Sequence, residues 1–458
     1  MAHREVNRAE QNILAEMRTY FASGATRTLS VRKAALAKLR ETILQYEAEI
    51  LHALTSDLGR PAFETYAFEI APVLQEIETL EKNLDSWTKP KKVKTPLLLF
   101  SAKTEVRIEP YGLVLVIAPW NYPFHLLMMP VAGAVACGNV VAVKPSRRAP
   151  KTMRIVQTIL SDVFPDVWVS VFPQISLEET YDYIFFTGGI ETGRKIAVAA
   201  AQHLTPVTLE LGGKNPCIVD ETANLNVAAR RIAWGKCVNA GQTCVAPDYL
   251  LVHDSVRDIL VDKIAAEITA FYGENPATHP DYGKIITAEE YERLLNYCVS
   301  ERILKQCGTH NPRERKLAPT LLAATCQDPI TRREIFGPIL PVITWNTISD
   351  LDKLLSPTPL ALYLFTEDTV FAEHLISIHP SGGVCINDCM IQVANNNAPF
   401  GGVGTSGMGC YHAQHSIETF SRKRTVITRK YSPDPSLRYP PYSKSVLENI
   451  RKLRRILF

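Results

Sequence analysis

The sequence predicts an α/β protein built on parallel sheets, with two successive α/β units behind an N-terminal run of helices. Three observations carry this prediction. First, "GLVLVIAP" and "NVVAVKPS" are continuous apolar runs rich in β-branched residues, as in strands buried on both faces. Between them "FHLLMMPVAGAVACG" is long enough for a helix ended by Gly138, so residues 112–146 read as strand, helix, strand, with the two strands parallel. Second, "DYIFFTGG" and "PVTLELGG" continue the same rhythm. Third, the pattern starts again after Cys244 with "DYLLVH", a helix through "VRDILVDKIAAEITAFYG", and later strands "ALYLFT" and "GVCIND".

The flanking segments follow in order. Residues 1–85 read as helices, because Leu36, Leu39, Ile43, Ile50 and Leu54 recur at helical spacing. "TKPKKVKTP" breaks that pattern with prolines and lysines, and "LLLFSAKTEVRIEPYG" reads as two short strands forming an arm. At the C-terminus, Val446, Leu447, Ile450, Leu453 and Leu457 share one helical face, with Arg451, Lys452, Arg454 and Arg455 mostly opposite. That is a basic amphipathic helix, suited either to packing on the body or a partner subunit, or to lying on a membrane surface. No internal repeat at a fixed period and no low-complexity tract interrupts the chain.

Composition narrows the class. At 458 residues, two or three domains are expected. With 46% hydrophobic and 21% charged residues the chain is globular rather than disordered. A net charge of +3 gives no reason to expect a nucleic-acid partner. The ten cysteines are irregularly spaced, and the opening "MAHREVNRAEQNILAEM" is charged, without the apolar centre of a secretory signal. Reduced thiols and a cytoplasmic location are expected. No run of about 18 apolar residues is present that would span a bilayer as a helix.

Several motifs invite a chemical reading. Gly402, Gly404 and Gly407 spell G-x-G-x-x-G, but they follow the polar stretch "VANNNAPF" rather than a strand, and no acidic residue stands about 20 positions on. A backbone turn or a close packing contact is the better reading. "KPS" and "TGG" close two predicted buried strands, and ligands of open parallel sheets bind outside the carboxyl ends of strands. Gly188 and Gly193 then stand where a helix begins and free N–H groups can meet an anion, although an ordinary strand-to-helix turn looks the same. Cys410, His412 and His415 in "CYHAQH" suggest a metal, yet nothing nearby completes a ligand set, and structural or surface histidines are the better reading. Cys385 and Cys389 likewise lack a partnering cluster. No metal site is expected.

"NAGQTCVAP" is the most pointed stretch. It places Cys244 behind a glycine turn and just before a strand. A nucleophilic thiol needs a base or a positive environment. No histidine is close in sequence, but Glu210 in "VTLELGG" ends a predicted buried strand, where a carboxylate is costly without partners or a task. Asn121 in "APWNYP" stands beyond another, where its amide can donate to an oxyanion, though asparagine is common before turns.

Taken together, "APWNYPF", "GNVVAVKPS", "FTGGIETG", "TPVTLELGGKNPCIV", "NAGQTCVAPDYLLV", "EIFGPILPV" and "PFGGVGTSGMG" resemble the aldehyde dehydrogenase superfamily, in order and over nearly the whole chain. "APDYLL", "SGMGCYH" and "YPPYS", with no N-terminal extension, resemble its class 3 and fatty aldehyde branch. The resemblance implies a Rossmann-like parallel-sheet cofactor domain (1–88 and 110–208), an α/β catalytic domain (209–388), a bridging β arm for oligomerisation (89–109 and 389–430) and a C-terminal tail helix (431–458). It implies a homodimer acting on an aldehyde, of medium or long aliphatic or aromatic type, with NAD or NADP.

It also implies roles. Cys244 is the nucleophile, Glu210 the general base, and Asn121 the oxyanion donor together with the backbone N–H of Cys244. Lys144 meets the adenosine ribose, with Ser146 and Arg147 beside it. Thr187, Gly188 and Gly193 follow the pyrophosphate, Glu334 and Phe336 position the nicotinamide ribose, and Trp120 lies along the cofactor path. The rivals are a coenzyme A-acylating relative and a non-catalytic relative. Glu210, a base that serves water, argues against the first, and the intact Cys244, Glu210 and Asn121 set argues against the second.

Two positions depart from the family's pattern. Arg147 stands after "KPS" where Glu is common, which favours acceptance of the extra phosphate of NADP. Arg333 stands before "EIFGP" where an acidic residue is common. The segment "VFPQISLEETYDYIFF" is also shorter than the family leads one to expect, which bears on the loop near the cofactor.

Overall fold

The N-terminal helical spacing folds into the helices Ala2–Ala22, Leu29–Gln45, Glu47–Leu58 and Ala71–Trp87 in a computed structural model that describes residues 2–434 and 436–457, apart from the side chains of residues 2–9, 300, 437 and 455–457. Leu36, Leu39, Ile43, Ile50 and Leu54 are all fully buried, each contributing about 1.5–3 kcal/mol over an exposed side chain. They lie on two helices rather than one. The break is at Tyr46 (φ −96°, ψ 16°), whose N–H still closes the first helix on Thr42 O.

The first α/β unit is a six-stranded sheet. Its strands run in the order Gly407–Met408, Val207–Leu211, Tyr183–Gly188, Leu113–Ile117, Val140–Lys144, Val169–Val171. All are parallel except the first, which pairs antiparallel with Val207–Leu211. The chain starts at Leu113–Ile117, moves outward to Val169–Val171, then returns to the other side of its starting strand. The strand order therefore reverses between Leu113–Ile117 and Tyr183–Gly188, and the crevice that binds ligands in such sheets opens there.

The return from Val171 to Tyr183 is a loop without a helix. The face left uncovered is taken by Ala2–Ala22, which lies against Leu113–Ile117 and Val140–Lys144 with Leu14 and Met17 buried. Arg18 pins the two segments together, donating to Thr180 O and pairing with Asp182 at 3.2 Å. The short connection seen in the sequence is thus compensated by a helix from elsewhere in the chain.

The second unit is a seven-stranded sheet in the order Ile303–Gln306, Thr320–Ala323, Ile339–Trp345, Tyr249–His253, Pro216–Val219, Ala361–Phe365, Gly383–Ile386. Only Ile303–Gln306 is antiparallel. Helices Leu225–Cys237 and Arg257–Tyr272 pack on one face, and Trp345, Leu351, Phe371 and Leu375 fill the other.

The arm differs from the two short strands expected. Leu97–Leu99 is a 3-10 turn, and the strand is a single run, Ala102–Pro110, flanked by Lys91–Val93 and Ser421–Arg429 in an antiparallel sheet. Three consecutive leucines carry no polar/apolar alternation, so nothing commits them to a half-exposed strand. Sheet membership also shifts the expected division of the chain. The cut at 208/209 falls inside Val207–Leu211, and segment 389–430 serves two places. Tyr411, Ile417 and Phe420 belong to the first core, while Ser421–Arg429 forms the arm. Backbone ladders, which sequence texture does not show, decide both points. The C-terminal helix is Lys444–Leu457, beside the Leu97–Leu99 turn. The side chains of Arg455 and Leu457, assigned to its two faces, lie outside the described residues.

Candidate active site

Cys244 sits on a turn of unusual backbone. After the helix Leu225–Cys237 come Asn239, Ala240 and Gly241 at φ 51°, 52° and 72°, three left-handed residues in a row. For non-glycine residues such backbone costs about 1–3 kcal/mol each and persists only where surroundings over-determine it. Here they do. Asn239 donates its backbone N–H to Glu64 Oε2 at 3.1 Å and its side-chain amide to Asn121 O and Gln242 O at 3.0 and 3.1 Å. Gln242 donates to Asn239 O and Lys284 O, both at 3.0 Å, and accepts from Ile286 N at 3.0 Å. Tyr122 and Thr243 share a hydroxyl–hydroxyl bond of 2.7 Å. Beyond the thiol, Asn215 Nδ2 donates to Cys244 O at 2.7 Å and Ala246 O at 3.0 Å, and Tyr363 donates to Val245 O.

The thiol is partly exposed, but packed surroundings and then the nearby Glu334 and Glu210 carboxyls push its pKa up to about 12. The backbone N–H groups of Cys244 and Val245 oppose that rise. Glu210 is buried in the strand Val207–Leu211, opposite Gly407 on one side and beside Thr187 on the other. Burial holds its carboxyl well above the usual range, and neither of its oxygens has a hydrogen-bond partner. Thr187 Oγ1, on the neighbouring strand, is likewise buried without a partner. Buried polar atoms are nearly always paired, and orphans of this kind mark a functional pocket. Asn121 follows the strand Leu113–Ile117 and donates to Gln242 O at 3.1 Å, which leaves its second amide N–H for another acceptor.

Glu334 is half-buried, pressed against Gly212, where any Cβ would lie 2.2 Å from its Oε2. Burial and then Asp248 raise its pKa to about 8, against Gly213 N–H, Lys214 and Lys236. Phe336 adopts φ 53° and meets Trp120 edge-on at 5.4 Å, so Trp120, Glu334 and Phe336 wall one side of the crevice.

The remaining predicted residues line strand ends. Lys144 ends its strand half-buried, its pKa lowered by burial and then by Arg147. Arg147 is exposed. Arg148 instead faces Glu289, and its N–H donates to Ser146 Oγ at 3.3 Å. Gly188 ends Tyr183–Gly188, and Gly189 caps the helix Ile190–Gln202 without a side-chain cap and with open space where a Cβ would be. That helix start fits a pyrophosphate. Gly193 serves packing: its N–H bonds Gly189 O at 3.0 Å, and a Cβ would lie 2.5 Å from Leu211 Cδ2. The residues present thus fit a dinucleotide laid from Lys144 past Gly189 toward Cys244.

The other motifs fall outside this pocket or serve its backbone. Cβ atoms on Gly402 and Gly407 would lie 2.1 Å from Ser406 O and 2.2 Å from Leu209 O, so these glycines let the 401–408 turn pair with the Glu210 strand. His412 is buried, stacked on Phe400, and burial takes its pKa down to about 3. His415 faces Glu418 at 3.6 Å. Cys385 donates to Gln392 Oε1 at 2.8 Å, and Cys389 is buried near Cys217. Among the described residues no three His, Cys, Asp or Glu side chains gather in a metal-binding group. Sequence reading missed Asn215, Asn239, Gln242 and Glu64. Asn215 and Asn239 lie in stretches quoted above, "TPVTLELGGKNPCIV" and "NAGQTCVAP", but their residue type alone does not mark them.

A doubly wound sheet with a dinucleotide crevice, facing a cysteine turn on a second α/β unit, defines a nicotinamide-dependent oxidoreductase with a thiol at its centre. A profile described as Aldehyde dehydrogenase family matches residues 4–426. The 4,4'-diaponeurosporen-aldehyde dehydrogenase of Staphylococcus aureus (strain NCTC 8325 / PS 47) is 42% identical over 438 residues, 93% of this chain and 95% of that protein. An "aldehyde dehydrogenase, dimeric NADP-preferring" from Canis lupus familiaris is 38% identical over 441 residues, 94% of this chain and 97% of that protein. The solved structure described as the substrate-bound state of Staphylococcus aureus AldH superposes with a TM-score of 0.94 at 40% identity, covering 97% of this chain and 99% of that one. This chain belongs to the aldehyde dehydrogenase family, and several of its similar relatives are named as family 3 members. It is an NAD(P)-dependent oxidoreductase that oxidises an aldehyde to the carboxylic acid.

Proposed function

We propose that the enzyme takes medium- or long-chain aliphatic or aromatic aldehydes, with Cys244 as nucleophile, Glu210 as the base for water and Asn121 as oxyanion donor. The observation that carries this is the Cys244 turn facing Glu210, a buried carboxyl with two unpartnered oxygens. The Cys244 thiol gives up its proton to solvent, the thiolate adds to the aldehyde carbon, and the alkoxide is held by the Asn121 amide and the Cys244 backbone N–H. A bound nicotinamide supplies the hydride acceptor that the protein's side chains lack. Glu210 then takes a proton from water as the water attacks the Cys244 thioester, releasing the acid and the thiol. The substrate class is supported by the carotenoid-derived aldehyde named in the Staphylococcus relative.

For the cofactor, Lys144, Ser146 and Arg147 hold the adenosine ribose, Thr187 and Gly188 border the pyrophosphate while Gly193 lets the helix behind it pack closely, and Trp120, Glu334 and Phe336 place the nicotinamide end. Arg147 favours acceptance of NADP. On this reading the chain works in three parts, as a cytoplasmic homodimer whose C-terminal helix touches a membrane surface peripherally. Ten free cysteines support the reducing compartment. The name of the dimeric canine relative supports the homodimer.

The test is purified protein with aliphatic aldehydes of increasing length and NAD or NADP, with and without coenzyme A, followed by absorbance of the reduced cofactor. Free acid without coenzyme A is expected, with kcat/KM rising with chain length. Acyl-coenzyme A as product, or a preference for the shortest aldehydes, overturns the reading.

A further inference from the structure

We propose that Arg60, Glu64 and Glu69 are positioning residues that set the distance between the two halves of the oxyanion site, the Asn121 amide and the Cys244 backbone N–H. This rests on the roles proposed above for Asn121 and Cys244 and extends them to a third segment of the chain.

The two halves belong to different α/β units. Asn121 follows the strand Leu113–Ile117 of the first sheet, and Cys244 follows the helix Leu225–Cys237 of the second unit. Residues 60–69 touch both. Glu69 Oε2 accepts from the Phe124 and His125 N–H groups at 3.1 and 2.7 Å, which fixes the chain just beyond Asn121. Glu64 Oε2 accepts from the Asn239 N–H at 3.1 Å, at the first of the three left-handed residues before Cys244.

Arg60 stands between the two carboxyls. It pairs with Glu69, and its guanidinium carbon lies 4.8 Å from the centre of the Tyr122 ring. Tyr122 adjoins Asn121 in sequence, and its hydroxyl meets that of Thr243, the residue before Cys244, at 2.7 Å. Burial pushes the Glu64 carboxyl up to about 7 and that of Glu69 upward, and in both cases Arg60 is the chief opposing charge.

The backbone is shaped for this pairing. Positions five apart, such as 64 and 69, fall about 140° apart around an α-helix. Over Tyr66–Ile70 the helix widens instead into a π turn, with Ala71 N–H bonded to Tyr66 O five residues back, and such a turn brings positions five apart toward one face. Arg60 has no exposed surface, and its Nε and Nη1 have no hydrogen-bond partner. Burying a guanidinium with so few bonds costs more than one ion pair returns, so its presence points to the geometry it fixes rather than to stability.

The experiment is a double-mutant cycle on the purified enzyme. Glu64→Met leaves the Asn239 N–H unpaired, whereas Glu64→Gln keeps an acceptor of the same length. Glu64→Met should lower kcat for aldehyde oxidation about tenfold and leave KM for NAD(P) within about twofold. Alkylation of Cys244 by iodoacetamide, which needs no oxyanion donor, should change less than about threefold. Glu64→Gln should recover most of the lost kcat. In an Asn121→Ala background the effect of Glu64→Met on kcat should shrink to less than about twofold, because the pair it aligns is already gone. Tyr122→Phe removes only the hydroxyl that meets Thr243 and should show the same pattern, so the test stands even where Glu64→Met does not fold. Parent kcat in Glu64→Met and Tyr122→Phe, a loss carried by cofactor KM, an equal fall in alkylation, or losses that add in full to that of Asn121→Ala overturns the proposal. A parent kcat in Asn121→Ala alone sinks the oxyanion reading itself, and this proposal with it, so the two failures are told apart.

Discussion

Asn215 holds Cys244 by its backbone, donating to the Cys244 carbonyl oxygen at 2.7 Å while its own Oδ1 accepts from Ala361 N at 2.9 Å. One side chain therefore ties the cysteine turn to the strand Ala361–Phe365, next to the edge of the second sheet. Asn215→Ala leaves the Cys244 and Ala246 carbonyls and the Ala361 N–H unpaired, at about 1–3 kcal/mol for each buried group. A lower melting temperature is expected, with kcat reduced about tenfold or more and KM for the cofactor little changed. A kcat equal to the parent's shows that the turn keeps its shape without Asn215.

Cys244→Ser removes the proposed nucleophile and leaves the turn intact, since the hydroxyl replaces the thiol at nearly the same volume. Dehydrogenase turnover should fall to background, because a hydroxyl is a far weaker nucleophile at neutral pH. The melting temperature should stay within a degree or two of the parent's (about 0.5 kcal/mol). Turnover near that of the parent excludes Cys244 as nucleophile.

The pH profile follows from the two raised groups. Burial holds the Glu210 carboxyl well above the ordinary range, and Cys244 is pushed up to about 12, so the thiol is protonated at rest near neutrality. Both proposed roles need the deprotonated form, so kcat should rise as pH is raised from the mildly acidic to the alkaline side. In Glu210→Gln the first turnover should survive while later turnovers stall, giving a burst of reduced cofactor and then a plateau. The rise of the steady-state rate with pH should vanish with the carboxyl. A steady-state rate equal to the parent's at every pH excludes Glu210 as base.

Arg147→Glu tests cofactor choice. The Arg147 guanidinium is exposed beside Lys144, whereas Arg148 faces Glu289. A guanidinium there can hold the 2′-phosphate of NADP through charge-assisted hydrogen bonds worth about 1.5–3 kcal/mol each. A carboxylate instead repels it and accepts from the ribose hydroxyls of NAD. The ratio of kcat/KM for NADP over NAD should drop about tenfold or more. An unmoved ratio places Arg147 away from the ribose.

Gly241→Ala tests the strained turn. At φ 72° an alanine costs about 1–2 kcal/mol, and its Cβ would lie 2.4 Å from Gly337 O, adding about 1–3 kcal/mol. Gly24→Ala is the control, with φ 79° but only an ordinary contact at 3.6 Å to Arg27. Calorimetry should show the larger loss of melting temperature for Gly241→Ala, together with reduced turnover. Equal losses would mean that the close approach to Gly337 costs nothing.

Chain texture already carried the strands of both sheets, because a strand buried on two faces needs an unbroken apolar run, as in Leu113–Ile117 and Ala361–Phe365. It also carried Cys244, Glu210 and Asn121, each of which breaks that texture where a buried strand or turn ends. What it did not carry was anything set by distant contact. The N-terminal helix covers a sheet face left open by a short loop because Leu14 and Met17 need burial there. Asn215, Asn239 and Gln242 support the cysteine turn through bonds to backbone atoms, and such bonds leave no trace in residue type. The sequence by itself determined which elements form and which chemical groups stand at their ends, since local propensity and burial period are properties of neighbouring residues. Tertiary structure alone decided that Glu210 faces the thiol with both oxygens unpaired, that Arg147 rather than Arg148 stands beside Lys144, and that the Leu97–Leu99 turn meets the C-terminal helix. These are distances between residues far apart in the chain, and only the packing of one element against another sets them.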